Sequence, residues 1–180
     1  MAKQFTELSD KHTAFIEQQP IFFVSTALAD GRINLSPKGM CSLKVLEPNR
    51  IAWLNLTGSG NETAGHIKEN SRMTIMWCSF GISPLILRVY GHAQVIHERD
   101  GKWSEYSSLW NERIGKRQVF LVDIKTVQTS CGYAVPMMEL QGERETLRKW
   151  AANKGKAGIR DYWDQQNRNT IDGNPTNILP

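Results

Sequence analysis

Long apolar runs are missing from this chain. The clearest, Ile21–Val24 and Pro84–Leu87, fall far short of the roughly 20 residues that carry a helix across a bilayer, so neither a transmembrane segment nor membrane association is expected. The opening residues, Met-Ala-Lys-Gln-Phe-Thr-Glu, hold no apolar h-region, which leaves no secretory signal and makes the cytoplasm the expected compartment. Cysteine is scarce. Cys41, Cys78 and Cys131 are odd in number and widely spaced, a pattern that suits reduced thiols and not a disulfide framework or a CxxC metal site. Runs of one charge are absent too: 22 Lys and Arg against 18 Asp and Glu give a net charge of +4, with the basic residues scattered. A pI of about 9.0 therefore permits an anionic ligand, but without aromatic-basic interleaving along any strand no nucleic-acid partner is expected.

What remains is an ordinary globular composition, 40% hydrophobic and 22% charged over 180 residues, enough for one domain with a full core. No internal repeat or linker-like tract divides it, so residues 1–180 are expected to form a single domain. Ser9 before Asp10–Gln19, stopped by Pro20, predicts a capped N-terminal helix over about 9–19. Ile21–Leu28 and Arg32–Ser36 flank Asp30-Gly31 as a hairpin, and Ser42–Leu46 and Arg50–Leu56 pair across Glu47-Pro48-Asn49. Glu62–Asn70 has helical spacing and Arg72–Cys78 returns to strand composition. Along Leu85–Ile96 the residues Leu87, Val89, Gly91, Ala93 and Val95 share one face, with Arg88, Tyr90, His92 and Gln94 on the other. A helix over Trp103–Asn111, strands at Gln118–Asp123 and Thr126–Thr129, and a helix over Glu143–Asn153 complete the pattern. Beyond Gly158 the tail reads as irregular, so the C-terminal helix and tail span about 143–180. Many short strands with few helices between them point to an antiparallel barrel and not to a βαβ sheet.

Three segments carry candidate chemistry. Gly58-Ser59-Gly60-Asn61-Glu62-Thr63-Ala64-Gly65-His66 runs from a strand through a glycine loop into a helix. It is not a Walker A loop, because His66 and Ile67 follow the second glycine where Lys and Ser/Thr are required. It is not a Rossmann fingerprint either, because Thr63 stands where a third glycine is required. It offers exposed amides, the Ser59 and Thr63 hydroxyls and the Asn61 amide at a helix N-terminus, a setting that favours a phosphate or is simply an ordinary cap. Ser36-Pro37-Lys38-Gly39 ends a strand with a cation and amides able to lie along a planar ring, or is a plain turn. Gln128-Thr129-Ser130-Cys131-Gly132-Tyr133 ends another strand with small and polar side chains, which suit a ligand or a polar strand terminus. His12, His66, His92 and His97 form no HExxH, so no metal centre is expected. Cys131 reads as a buried structural thiol, and Trp77 and Trp163 are the tryptophans that could flank a ring.

These segments occur in an order that resembles the pyridoxamine 5′-phosphate oxidase-like family of FMN-binding split β-barrels, over roughly Ile21–Tyr133. The most specific stretch runs from Ala52-Trp53-Leu54-Asn55-Leu56 through the glycine loop to the Asn70-Ser71-Arg72 element and Met73-Thr74. The resemblance implies a mainly β fold, a six-stranded antiparallel split barrel with a few helices. It also implies a homodimer with FMN in clefts between the subunits. Ser36, Pro37, Lys38 and Gly39 would lie along the isoalloxazine, while Asn55, Thr57, Ser59, Asn61 and Thr63 would hold the ribityl chain and phosphate. Gln128, Thr129 and Ser130 would reach the flavin across the interface. The family's Arg-Lys pair is replaced by Asn61-Glu62-Thr63, leaving Lys38 or Arg72 as candidate cations, and its C-terminal substrate-phosphate residues have only Trp163 and Arg168 as loose counterparts. The implied function is an FMN-dependent oxidoreductase of a small-molecule substrate, with a nicotinamide nucleotide as candidate electron donor and no catalytic residue identified. The competing reading is a non-catalytic flavin- or haem-binding or storage protein on the same barrel.

Overall fold

The structure, a computed structural model, describes residues 2–112 and 114–180. Strands β1 (Lys3–Phe5), β2 (Phe22–Thr26), β3 (Asn34–Lys38), β4 (Leu43–Glu47), β5 (Arg50–Leu56), β6 (Arg72–Cys78), β7 (Ile86–His97) and β8 (Lys116–Ser130) form one antiparallel sheet, with helices α1 (Asp10–Gln18), α2 (Glu62–Glu69), α3 (Trp103–Ser107) and α4 (Thr146–Gln166) around it. The strand order is β3-β2-β6-β7-β8-β5-β4, with β1 added alongside β8. The mainly β, split-barrel architecture is the one the sequence implies, carried by eight strands and not six. The added β1 has three exposed residues and leaves no periodicity to read; it is held by pairing Lys3 to Phe5 against Val127 to Thr129 and by the Phe5 ring set edge-on against His12.

The period-2 alternation read along Leu85–Ile96 sends Leu87, Val89, Gly91 and Ala93 into the core and Tyr90, His92 and Gln94 outward. Its partner β8 was expected as two strands and is one, because a bulge absorbs the interruption. Tyr90 pairs with Thr126 and Gly91 with Ile124, so Lys125 is the extra residue. Gly91 makes the close approach possible, since a Cβ there would lie 2.3 Å from the Asp123 carbonyl oxygen. Strand β5 is apolar on both faces for a structural reason. Ile51 and Trp53 enter the barrel core with Phe22, Ile75, Trp77 and Phe120, whereas Ala52 and Leu54 pack beneath Trp110 and the α3 residues Trp103 and Tyr106.

Ser9 caps α1 reciprocally: its Oγ accepts from the His12 amide and its own amide donates to His12 Nδ1 at 3.2 Å. The third helix stops at Ser107, short of the expected Asn111. The tail becomes irregular later than expected, because α4 continues to Gln166 after a break at Gly155 (φ 63°), and only residues 167–180 lack regular structure. The buried i, i+4 pair Ile159 and Trp163 drives that continuation, packing with Ala151 and Ile178. No helix among the described residues is long and apolar enough to cross a membrane.

Candidate functional site

Strands β3 and β4 are adjacent in the chain yet stand at the two ends of the strand order, and a cleft of about 330 Å³ lies between β3 and the end of β5 with the loop that follows it. Ser36, Pro37, Lys38 and Gly39 line one wall, and Asn55, Thr57, Ser59, Asn61 and Thr63 line the other. The structure thus gathers two of the three sequence segments around one space. A larger groove of about 920 Å³ adjoins it, sharing Pro37 to Met40 and Leu147, with Ile21, Phe80, Met138, Leu140 and Trp150 along its sides.

The residues of the second wall are held differently. Asn55 Nδ2 donates to Gln118 Oε1 at 3.1 Å, and the Thr57 hydroxyl donates to the Gly115 carbonyl while accepting from Trp163 Nε1 at 2.9 Å. Thr63 Oγ1 accepts from Asn34 Nδ2, which also reaches Thr26, itself bonded to the buried His66. Asn61 occupies the N-cap position of α2 but makes no capping bond, contrary to the expected cap. Its side chain is 2% exposed, and both Nδ2 and Oδ1 lack a hydrogen-bond partner. The backbone amides of Ser59 to Thr63 donate to no group among the described residues. A row of free amides and a free carboxamide at a helix N-terminus is a set of donors built for an anion.

Two cations border this wall, Lys38 from across the cleft and Arg117 from behind the loop. Lys38 Nζ lies 5.5 Å from the centre of the Trp53 ring, which stacks on Phe120 at 4.8 Å. Burial pushes the Lys38 ammonium down to about 8, with repulsion from Arg117 adding to it. Arg117 of β8 also lines the cleft and is buried, and that burial lowers its guanidinium to about 9. Sequence reasoning missed Arg117, although a signal was present: it stands just before the apolar run Val119-Phe120-Leu121-Val122. Asn34, Ser42, Trp53 and Leu147 also line the cleft unannounced.

The acid in the loop has an explanation. Both Glu62 carboxylate oxygens accept from the Ile171 amide at 3.1 Å, fastening the C-terminal tail to the loop. Asp172 binds Arg32, and Gly65 touches Thr170, so the tail braces α2 from behind.

Gln128, Thr129 and Ser130 do not line this cleft. They end β8, where Gln128 Oε1 accepts from Tyr90 Oη and Ser130 Oγ accepts from Arg88. Arg72 is exposed beside a separate hollow with Tyr90, His92 and Lys125. Trp77 is core and Trp163 lies behind Thr57, so neither flanks the cleft, and Arg168 pairs with Asp164. Cys131 is exposed, not buried, because it follows the last paired residue of β8.

The comparisons with known proteins agree with this geometry. The pyridoxamine 5′-phosphate oxidase family profile matches residues 8–131. The pyridoxamine 5′-phosphate oxidase family protein ustO of Aspergillus flavus is 36% identical over 191 residues, covering 95% of this chain and 76% of its own length. Among solved structures, a Lactobacillus delbrueckii protein provisionally described as a pyridoxamine 5′-phosphate oxidase superposes with a TM-score of 0.55 at 23% identity, over 68% of this chain and 94% of that one. The FAD binding protein of Mycobacterium smegmatis has a TM-score of 0.50 at 12% identity, over 70% and 97%. These two share the fold. A cleft at the open seam of an antiparallel barrel, a glycine loop feeding α2, and matches of this extent lead to one conclusion: the chain belongs to the pyridoxamine 5′-phosphate oxidase family.

Proposed function

We propose that this protein is an FMN-dependent oxidoreductase acting on a small molecule, working as a homodimer with the flavin shared between subunits. The observation that carries the reading is the unpartnered donor set at the head of α2: free amides from Ser59 to Thr63 beside the buried, unsatisfied Asn61 carboxamide. A phosphate fits that set, since it supplies the acceptors the loop lacks. The family and the FAD-binding protein that shares the fold favour a flavin as the bearer of that phosphate.

Bound flavin supplies hydride and electron transfer. The chain supplies position and environment. The Ser59–Thr63 loop would hold the phosphate end, Asn55 and Thr57 the ribityl chain, and the Ser36–Gly39 backbone the ring. Lys38, near neutrality because of its burial, is a proton-carrying group at the ring end of the cleft. The adjoining, mainly apolar groove favours a substrate with an apolar body. Gln128, Thr129 and Ser130 lie outside this cleft, and in the homodimer they would serve the flavin of the second copy.

Absorption of the purified protein, followed by anaerobic addition of NADH or NADPH, tests the reading. A flavin spectrum that bleaches and recovers with oxygen is the expected result. A flavin that cannot be reduced, or a haem band, favours the storage reading, and a colourless protein that binds no added FMN refutes both. Lys38→Ala and the Ser59→Ala/Thr63→Ala pair are each expected to weaken FMN retention.

A further inference from the structure

The loop that lines the cleft is oriented from behind by one side chain. Arg117 is 3% exposed. Its Nη1 donates to the Gly60 carbonyl at 2.9 Å, to the Gly58 carbonyl at 3.4 Å and to Asn167 Oδ1 at 2.7 Å. Asn167 Nδ2 in turn donates to the carbonyls of Gly58 and Ser59. In a planar trans peptide the carbonyl of one residue and the N–H of the next point in opposite directions. Turning the carbonyls of Gly58, Ser59 and Gly60 toward Arg117 and Asn167 therefore turns the amides of Ser59, Gly60 and Asn61 the other way. Three successive N–H groups on one side of a loop form an anion-binding concavity.

The charge of Arg117 is itself unmatched. No carboxylate lies within ion-pair distance of it among the described residues, and its Nε has no partner. Carbonyl dipoles compensate a buried guanidinium only in part, so the ligand-free site carries an unpaid electrostatic debt that an anion would settle. Arg117 and Lys38 both line the cleft, so two positive charges act on whatever occupies it.

We propose that Arg117 is the positioning residue that makes this cleft select a phosphorylated flavin over an unphosphorylated one, acting through the loop amides it orients and through its own uncompensated charge. This rests on the flavin reading and supplies the cation that the loop sequence Asn61-Glu62-Thr63 lacks.

The test is fluorescence titration of the full-length, cofactor-stripped protein with FMN and with riboflavin. Wild type is expected to prefer FMN. Arg117→Gln is expected to weaken FMN by roughly 10- to 100-fold while leaving riboflavin nearly unchanged, with Arg117→Lys in between. An unchanged FMN-to-riboflavin ratio, or equal loss of both ligands, overturns the proposal. Should Arg117→Gln not fold, Asn167→Asp places a carboxylate against the guanidinium and is expected to lower the same ratio; a ratio equal to wild type overturns the proposal. If wild type binds neither flavin, the flavin reading fails separately, and inorganic pyrophosphate decides the role of Arg117. Thermal stabilisation of wild type that Arg117→Gln loses supports it, and no stabilisation of wild type refutes it.

Discussion

Replacing Asn61 with alanine separates a ligand-binding group from a structural one. In most helices the loss of an N-cap side chain costs about 0.5–2 kcal/mol, because a bond to the first turn is broken. Here no such bond exists, and the carboxamide is 2% exposed with both polar atoms unpartnered. Each buried polar atom left unsatisfied costs about 1–3 kcal/mol. Its removal beside an open cleft leaves space that water can enter, so the compensating cavity penalty is small. The ligand-free Asn61→Ala protein is therefore expected to be more stable than wild type by about 1 kcal/mol, a rise of about 2–4 °C in melting temperature for a chain of this size. In the complex the same side chain has found its partners, so FMN affinity is expected to fall about tenfold, equivalent to about 1.4 kcal/mol. Differential scanning calorimetry with and without FMN reads both effects at once. A ligand-free variant that melts several degrees lower, together with unaltered FMN affinity, would mean that Asn61 serves the fold and would refute the reasoning.

Lys38 titrates at about 8 in the folded chain and at 10.5 when unperturbed, so the unfolded state holds more protons between those values and wild-type stability should rise with pH across that window. Lys38→Met should abolish that rise in denaturant midpoints measured from pH 7.5 to 10.5; identical slopes would contradict the assigned burial. His97 is lowered to about 4, first by burial and then by Arg99, so stability should be lost as pH falls from 6.5 toward 4. His97→Gln should flatten that limb in the same measurement. Gly65 lies so close to the tail that a Cβ would meet Thr170 Cγ2 at 2.3 Å, and Gly65→Ala should destabilise by about 1–3 kcal/mol. Adding Thr170→Ser, which deletes that methyl and keeps the hydroxyl that accepts from Asn174, should restore most of the loss in urea unfolding.

Local patterns determined much of this protein. The alternation along β7, the Ser9 cap and the change from strand to helix at the glycine loop are consequences of residue type within a few positions. They are legible because backbone geometry repeats at fixed periods. The segments Ser36–Gly39 and Gly58–His66 could likewise be named, since glycine, hydroxyl and amide residues mark where backbone can meet a ligand, whereas Asn55 and Thr57 came only with the family resemblance. Other features depend on residues far apart in the chain, which no local period encodes. Arg117 stands 57 positions from the Gly60 carbonyl it holds, and Glu62 stands 109 from the amide of Ile171. The β8 bulge hides in a strand whose charged Lys125 reads as an end, and β1 has no pattern of its own. Which residues line the cleft, why an acid is tolerated in its loop and where its buried cation originates were decided only when the sheet closed to within one seam, because burial and partner choice are properties of the packed chain.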